Sequence, residues 1–238
     1  MLKTVLVAGG VVLLGALQGH AVLIAKWNFE VNTPADAANS TTIGPIAADI
    51  GSGSASGVHA SATSDWTTPA GNGSVNSLSV NTWTIGDYFQ FQTSLSGYQN
   101  VTLFWEQTRS STAPSSFKLQ YSTDGSIFTD FGGSFNPYSV VENGTVGGGT
   151  WSSNPLNYRN GYSFSANLSS ITTLNNDSSV FFRLTATSAG SDPAGASRVD
   201  DFTINADVKT VVPEASTWVA GLGLSLGMLG SFVRKYRK

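Results

Sequence analysis

Few residues in this 238-residue chain could carry covalent chemistry, and they do not fall into reacting groups. A serine nucleophile needs an imidazole base beside it. The chain has two histidines, no cysteine and no Gly-x-Ser-x-Gly elbow. His20 lies in an apolar N-terminal stretch and His59 among Ala, Ser and Gly, where a lone histidine reads as solvated. Glycoside hydrolysis needs two carboxyl groups at a set separation. Glu106 is the best single candidate, sharing a strand face with Phe104 and Thr102, and nothing in the sequence places a second carboxylate with it. Its ordinary reading is an exposed or salt-bridged strand glutamate. No glycine-rich phosphate loop and no histidine-rich metal pattern occurs. The chain reads as a non-enzyme.

Non-covalent recognition fits the composition better. Sugar rings pack on exposed aromatic faces while their hydroxyls bond to amides and acids. Trp151, Tyr158 and Tyr162, with Tyr138, Asn154 and Asn157, fall in or beside the glycine-rich 136–162 region and form the candidate ligand-binding set. Residues 27–213 hold 14 Asp and Glu against 6 Lys and Arg, a formal charge of about −8. That balance excludes a nucleic-acid partner, whose footprint is basic. Six Asn-x-Ser/Thr sequons reflect the abundance of Asn, Ser and Thr.

The elements that must position these residues are strands. Val101, Leu103 and Trp105 alternate with polar neighbours, as do Phe117, Leu119 and Tyr121, and Val180, Phe182 and Leu184. Further strands are expected at 23–30, 77–81, 88–93, 127–131, 162–168 and 199–206, with a hairpin turn at Thr123-Asp124-Gly125-Ser126. One short helical stretch is expected around 168–174. Residues 33–68 and 144–160 read as long loops or poorly ordered edge strands. The expected fold is an all-β antiparallel sandwich over residues 22–206. On its last strand, strict alternation places Val199, Asp201 and Thr203 opposite Asp200, Phe202 and Ile204.

The two ends carry an address. Residues 1–21 combine Lys3, an apolar run from Val5 to Leu17 and small residues at Gly19 and Ala21, a signal peptide cleaved after Ala21 or, second, after Ala25. Residues 215–233 are free of charge and long enough to span a membrane. The basic tail 234–238 then stays cytoplasmic. A linker and motif fill 207–214, and Val212-Pro213-Glu214-Ala215 precedes the helix. This end resembles the PEP-CTERM sorting signal of exopolysaccharide-producing Gram-negative bacteria, with Ala215 where that motif has its second proline. The resemblance implies an exosortase partner, cleavage near Pro213-Glu214, and delivery to the cell surface or beyond. A permanent single-span membrane anchor is the alternative.

Trp27-Asn28-Phe29-Glu30, the Phe117–Gly125 hairpin and Arg198-Val199-Asp200-Asp201-Phe202 are similar to galactose-binding-like jelly rolls. That resemblance implies a calcium joining an acid of the first strand to an aspartate of the last, here Glu30 with Asp200 or Asp201. Calcium takes six to eight hard oxygens. Pairing of these aspartates with Arg198 or another cation is the alternative. The chain therefore reads as an exported, non-enzymatic surface or matrix protein, or as a module that binds exopolysaccharide.

Overall fold

In the computed structural model, residues 21–146 and 149–209 are described. The signal segment before Ala21, the Val212–Ala215 motif, the spanning segment and the basic tail lie outside the described residues. Among the described residues no helix is long and apolar enough to cross a membrane.

The described strands, numbered in chain order, make two seven-stranded sheets. Sheet A runs β12 (Ser163–Asn167), β8 (Tyr98–Arg109), β14 (Ser197–Val208), β1 (Ala21–Trp27) and β3 (Ile50–Gly51). Beside β14 it also carries β6 (Leu78–Val80), which pairs with β5 (Trp66–Thr67). Sheet B runs β10 (Thr129–Asp130), β9 (Ser116–Ser122), β13 (Val180–Ala186), β7 (Tyr88–Thr93), β4 (Ser54–Val58) and β2 (Thr42–Ala47). Here β11 (Tyr138–Ser139) joins β9. Every ladder pairs antiparallel, and the first strand lies beside the last, Trp27 opposite Phe202.

Period-two alternation drives this packing, because successive side chains of a strand point to opposite faces. Phe89 and Phe91 of β7, Phe182 and Leu184 of β13 and Leu119 of β9 are buried against Trp27, Trp105, Phe202 and Ile204 of sheet A. Phe91 stacks on Phe202 with ring centroids 3.6 Å apart, and Trp27 meets both rings edge-on. Such aromatic contacts add to the gain from burying large rings.

Residues 33–68 differ from expectation by containing β2, β3, β4 and β5, with β4 interior to sheet B. The strand is hard to read because its residues are small, and they are small for a packing reason. A side chain at Gly57 would overlap the Trp66 ring, so bulk comes from the indole instead. The expected helical stretch reduces to a 3-10 turn at Thr172–Leu174. Strand β14 continues through Val208, two residues into the expected linker, and Asp207 and Val208 still pair with Gln99 and Tyr98.

Candidate functional site

Two outward-facing surfaces gather chemistry-bearing side chains, one on each sheet. On sheet A the centre is a bulge in β14. Its register against β8 shifts between Asp200 and Thr203, and Asp201 takes φ +51°. A bulge inserts an extra residue and resets alternation. The register is regular up to Asp200, so Val199 faces the core while Asp200 is buried on the opposite face under Asn72 and Ser74. The shift that follows it breaks the expected grouping of Val199 with Asp201 on one face. Asp201 forms an ion pair with Lys26 at 2.8 Å. Asp200 accepts from the Ser74 hydroxyl, from the Asn72 amide at 3.4 Å and from the Asp201 amide at 2.7 Å. Arg198 does not pair with either; it donates to the Ala70 carbonyl at 3.4 Å.

Glu106 of β8 lies directly across from Asp200 of β14 and from Ser163 of β12. It is 1% exposed, and neither carboxylate oxygen has a hydrogen-bond partner among the described residues. The expected solvated or salt-bridged glutamate is therefore a buried, unpaired one. Burial raises its pKa to about 7, with the Asp201 charge adding to the rise and the Tyr158 and Asn72 side chains opposing it. Burial likewise holds Asp200 well above the usual carboxylate range. Two loops distant in sequence supply this cover: Asn72 and Arg159 exchange hydrogen bonds at 3.0 Å, tying residues 71–76 to 151–159.

Glu30 reaches the same loop from the other side. The Asp49 carboxylate accepts four backbone N–H groups, from Asn28, Phe29, Val31 and Asn32, at 2.7–2.8 Å. That clasp fixes the turn after β1, and Glu30 then accepts from the Asn76 amide at 2.7 Å. Loop 71–76 thus stands between Glu30 and Asp200. A Cβ at Gly71 would collide with the Asp200 carboxylate, the Ser74 hydroxyl and the Asn76 carbonyl, so three oxygens converge there. Ser74 has one proton and both Asp200 and Asn76 oxygens to satisfy. Hard oxygens of this kind suit calcium. Among the described residues, no three His, Asp or Glu side chains group as a metal set. Asp201, committed to Lys26, stands outside this cradle.

The expected aromatic set divides. Trp151 and Tyr162 are buried and pack edge to face at 6.0 Å, so they are not open sugar platforms. The Tyr162 hydroxyl accepts from Gly144 at 2.9 Å and donates to the Gly149 carbonyl at 3.2 Å, pinning the loop closed. Tyr138 is buried and donates to Gln107 at 2.7 Å. Asn154 caps a short turn through the Leu156 amide, and Asn157 bonds Ser152. Only Tyr158 is exposed, with its hydroxyl 3.1 Å from Ser163. His59 is buried between Trp66 and Trp83, not solvated, and burial lowers its pKa to about 4. Ser64 at 3.1 Å and Asp87 at 3.6 Å both face its Nδ1. A catalytic relay needs them on opposite ring nitrogens, so this trio performs none.

Sheet B presents a different surface. Pairing registers align its outward residues into rows across four strands. One row is Gln120, Arg183, Gln90 and Ser56; a second is Ser122, Phe181, Gln92 and Ser54; a third is Lys118, Thr185, Tyr88 and Val58. The Arg183 guanidinium lies 3.8 Å from the Tyr88 ring centroid and 3.5 Å from that of Phe128. It donates to Gln90 Oε1 at 2.8 Å and to the Tyr88 hydroxyl at 3.0 Å. Thr185 donates to Gln120 at 2.8 Å, Gln120 to Asp130 at 2.7 Å, and Gln92 to Ser179 at 3.2 Å. These bonds hold amides, hydroxyls and rings in place before any ligand arrives. Alternation in each strand signals which of these residues point outward. The rows depend on register between strands far apart in sequence, which no local pattern reports.

No protein-family model matches the chain, and no curated protein matches it. Solved structures that this chain is similar to include the CBM22-1–CBM22-2 tandem domain of Paenibacillus barcinonensis Xyn10C, at 14% identity and TM-score 0.43, covering 84% of this chain and 49% of that one. Another is the CBM22-1–GH10 portion of Clostridium thermocellum xylanase 10B complexed with xylohexaose, at 15% identity and TM-score 0.43, covering 80% and 30%. A third is the carbohydrate-binding module CBM6cm-2 of Cellvibrio mixtus lichenase 5A in complex with cellotriose, at 15% identity and TM-score 0.33, covering 61% and 88%. The alignments span half or less of the first two chains.

Proposed function

We propose that this chain is a non-catalytic carbohydrate-binding module, displayed outside the cell, whose polysaccharide ligand lies across the outer face of sheet B. The observation that carries the reading is the three-row surface around Arg183. Tyr88 and Phe181 offer ring surface for sugar C–H groups, while Gln90, Gln92, Gln120, Ser54 and Ser56 offer donors and acceptors for hydroxyls. An open sheet face suits an extended polymer. A polysaccharide array probed with the full-length protein tests the proposal. Retention on one or more polymers is expected, and retention on none overturns it.

Export and anchoring enter this proposal from the sequence: the 1–21 signal, the Val212–Ala215 motif recognised by an exosortase, and the 215–233 membrane segment. The cell's own exopolysaccharide is then the nearest ligand. Mass spectrometry of the mature protein checks the sorting step, and an intact C-terminal Lys238 overturns it.

A calcium ion at Glu30 and Asp200, with the Ser74 and Asn76 oxygens, belongs to the same proposal as a structural cofactor. Bound there, it would supply positive charge to the buried Asp200 and tie β1, β14 and loop 71–76 together. At ten times its dissociation constant a ligand stabilises by about 1.4 kcal/mol. For a domain of this size that raises Tm by roughly 4 °C. Differential scanning calorimetry with millimolar calcium should show this rise, and Glu30→Gln should remove it.

A further inference from the structure

Lys209 is exposed past the end of β14, and among the other described lysines and arginines one half-buried group stands apart by its partners. Among the described residues, Lys26 pairs with Asp201, Arg109 with Glu142 and Lys118 with Asp130. Arg159 and Arg198 direct their guanidinium groups at backbone carbonyls. Arg183 has neither a carboxylate within ion-pair distance nor a carbonyl among the described residues. Its bonds go to Gln90 and the Tyr88 hydroxyl, and its Nη1 donates to nothing described.

Its setting makes this arrangement more than a solvated surface arginine. The group is half-buried at the centre of the three rows, with the Tyr88 and Phe128 rings against it. Those rings and the Gln90 bond hold the guanidinium plane in place, so an incoming anion would meet a fork already oriented. Asp130, the acid one strand over beside Gln120, is occupied by Lys118 at 2.9 Å and Gln120 at 2.7 Å. The face therefore keeps one uncompensated positive charge within a domain that is acidic overall. A planar guanidinium binds carboxylates through parallel N–H bonds better than any other side chain does.

Resting on the glycan reading of sheet B, we infer that Arg183 selects polysaccharides bearing carboxylates, with uronic acid units as the ligand class. The Tyr88 and Phe181 rings serve the sugar's apolar face, and the Arg183 fork receives its carboxylate.

The experiment compares polygalacturonate with fully methyl-esterified polygalacturonate, which keeps the backbone and removes the charge. A neutral arabinoxylan is the third probe. Isothermal titration calorimetry with the full-length protein should give at least ten-fold tighter binding to the acid form. That advantage should shrink as salt rises from 20 to 500 mM, because a half-buried charge is partly screened. In Arg183→Gln the acid-to-ester affinity ratio should fall to about one, and Arg183→Lys should recover only part of it. Equal affinity of the wild-type protein for acid and ester overturns the inference and leaves the glycan reading standing. Binding to none of the three polymers overturns the inference, and the polysaccharide array then decides the glycan reading on its own. The wild-type ratio decides the question without any variant, so a misfolded substitution cannot obscure it.

Discussion

The outer faces of the two sheets carry polar residues at comparable strand positions, yet they end in opposite states. On sheet A, loops 71–76 and 151–159 cover Glu106 and Asp200, removing water without giving Glu106 a bonding partner. On sheet B, Gln90, Gln92, Gln120 and Arg183 stay partly open, and each has a neighbour that fixes it. One face stores electrostatic cost; the other stores order. A buried, unsatisfied carboxylate belongs to a site under tension, whereas a pre-bonded open surface suits recognition with little reorganisation.

The largest effect should come from relieving sheet A. Glu106 has a folded pKa near 7 against 4.5 for the free group. The unfolded chain therefore releases this proton first as pH rises. Stability is lost between about pH 4.5 and 7, by roughly 3 kcal/mol in all, and stays lost above that. Asp200, shifted in the same direction, adds to the loss. Glu106→Gln should accordingly raise the urea midpoint at pH 8 and leave it nearly unchanged at pH 4. An equal gain at both pH values would show that ionisation is not the cause.

Smaller, but more direct for function, is the contrast between two tyrosines. Tyr88→Ala on sheet B should weaken polysaccharide binding about ten-fold, or about 1.4 kcal/mol. Tyr158→Ala, at the exposed ring on the loop over sheet A, should leave it within two-fold by the same titration. The reverse ranking would move the ligand to the other face. Smallest of all is Lys118→Ala at the rim of sheet B. Its pair with Asp130 is partly exposed, so chemical denaturation should register no more than about 0.5 kcal/mol.

Much of the scaffold is legible in the sequence. The alternation of Phe89 and Phe91, or of Phe182 and Leu184, is enough to call both the strand and its buried side. Strand β4 escapes because its small residues answer to Trp66, a partner supplied from elsewhere in the chain. The resemblance implies that acids of the first and last strands meet; the two strands do pair, but loop 71–76, which no local pattern places, stands between Glu30 and Asp200. What local pattern cannot reveal is insertion and cover. The bulge at Asp201 breaks the alternation that predicted its neighbours. The burial of Glu106 depends on Asn72 and Tyr158, 34 and 52 positions away in sequence. Trp151 and Tyr162 mislead for a related reason. Composition cannot distinguish an aromatic that pins a glycine-rich loop from one that offers its face to solvent.

Strand β14 has one more consequence once the domain is held by its C-terminal side. It is twelve residues long and flanked by β8 on one side and β1 on the other. A pull entering at Val208 runs along the strand, so hydrogen bonds on both flanks carry it together, as in a lap joint. They are not opened one after another like a zip. The strand next to the proposed C-terminal anchor is also the one best placed to resist being drawn out.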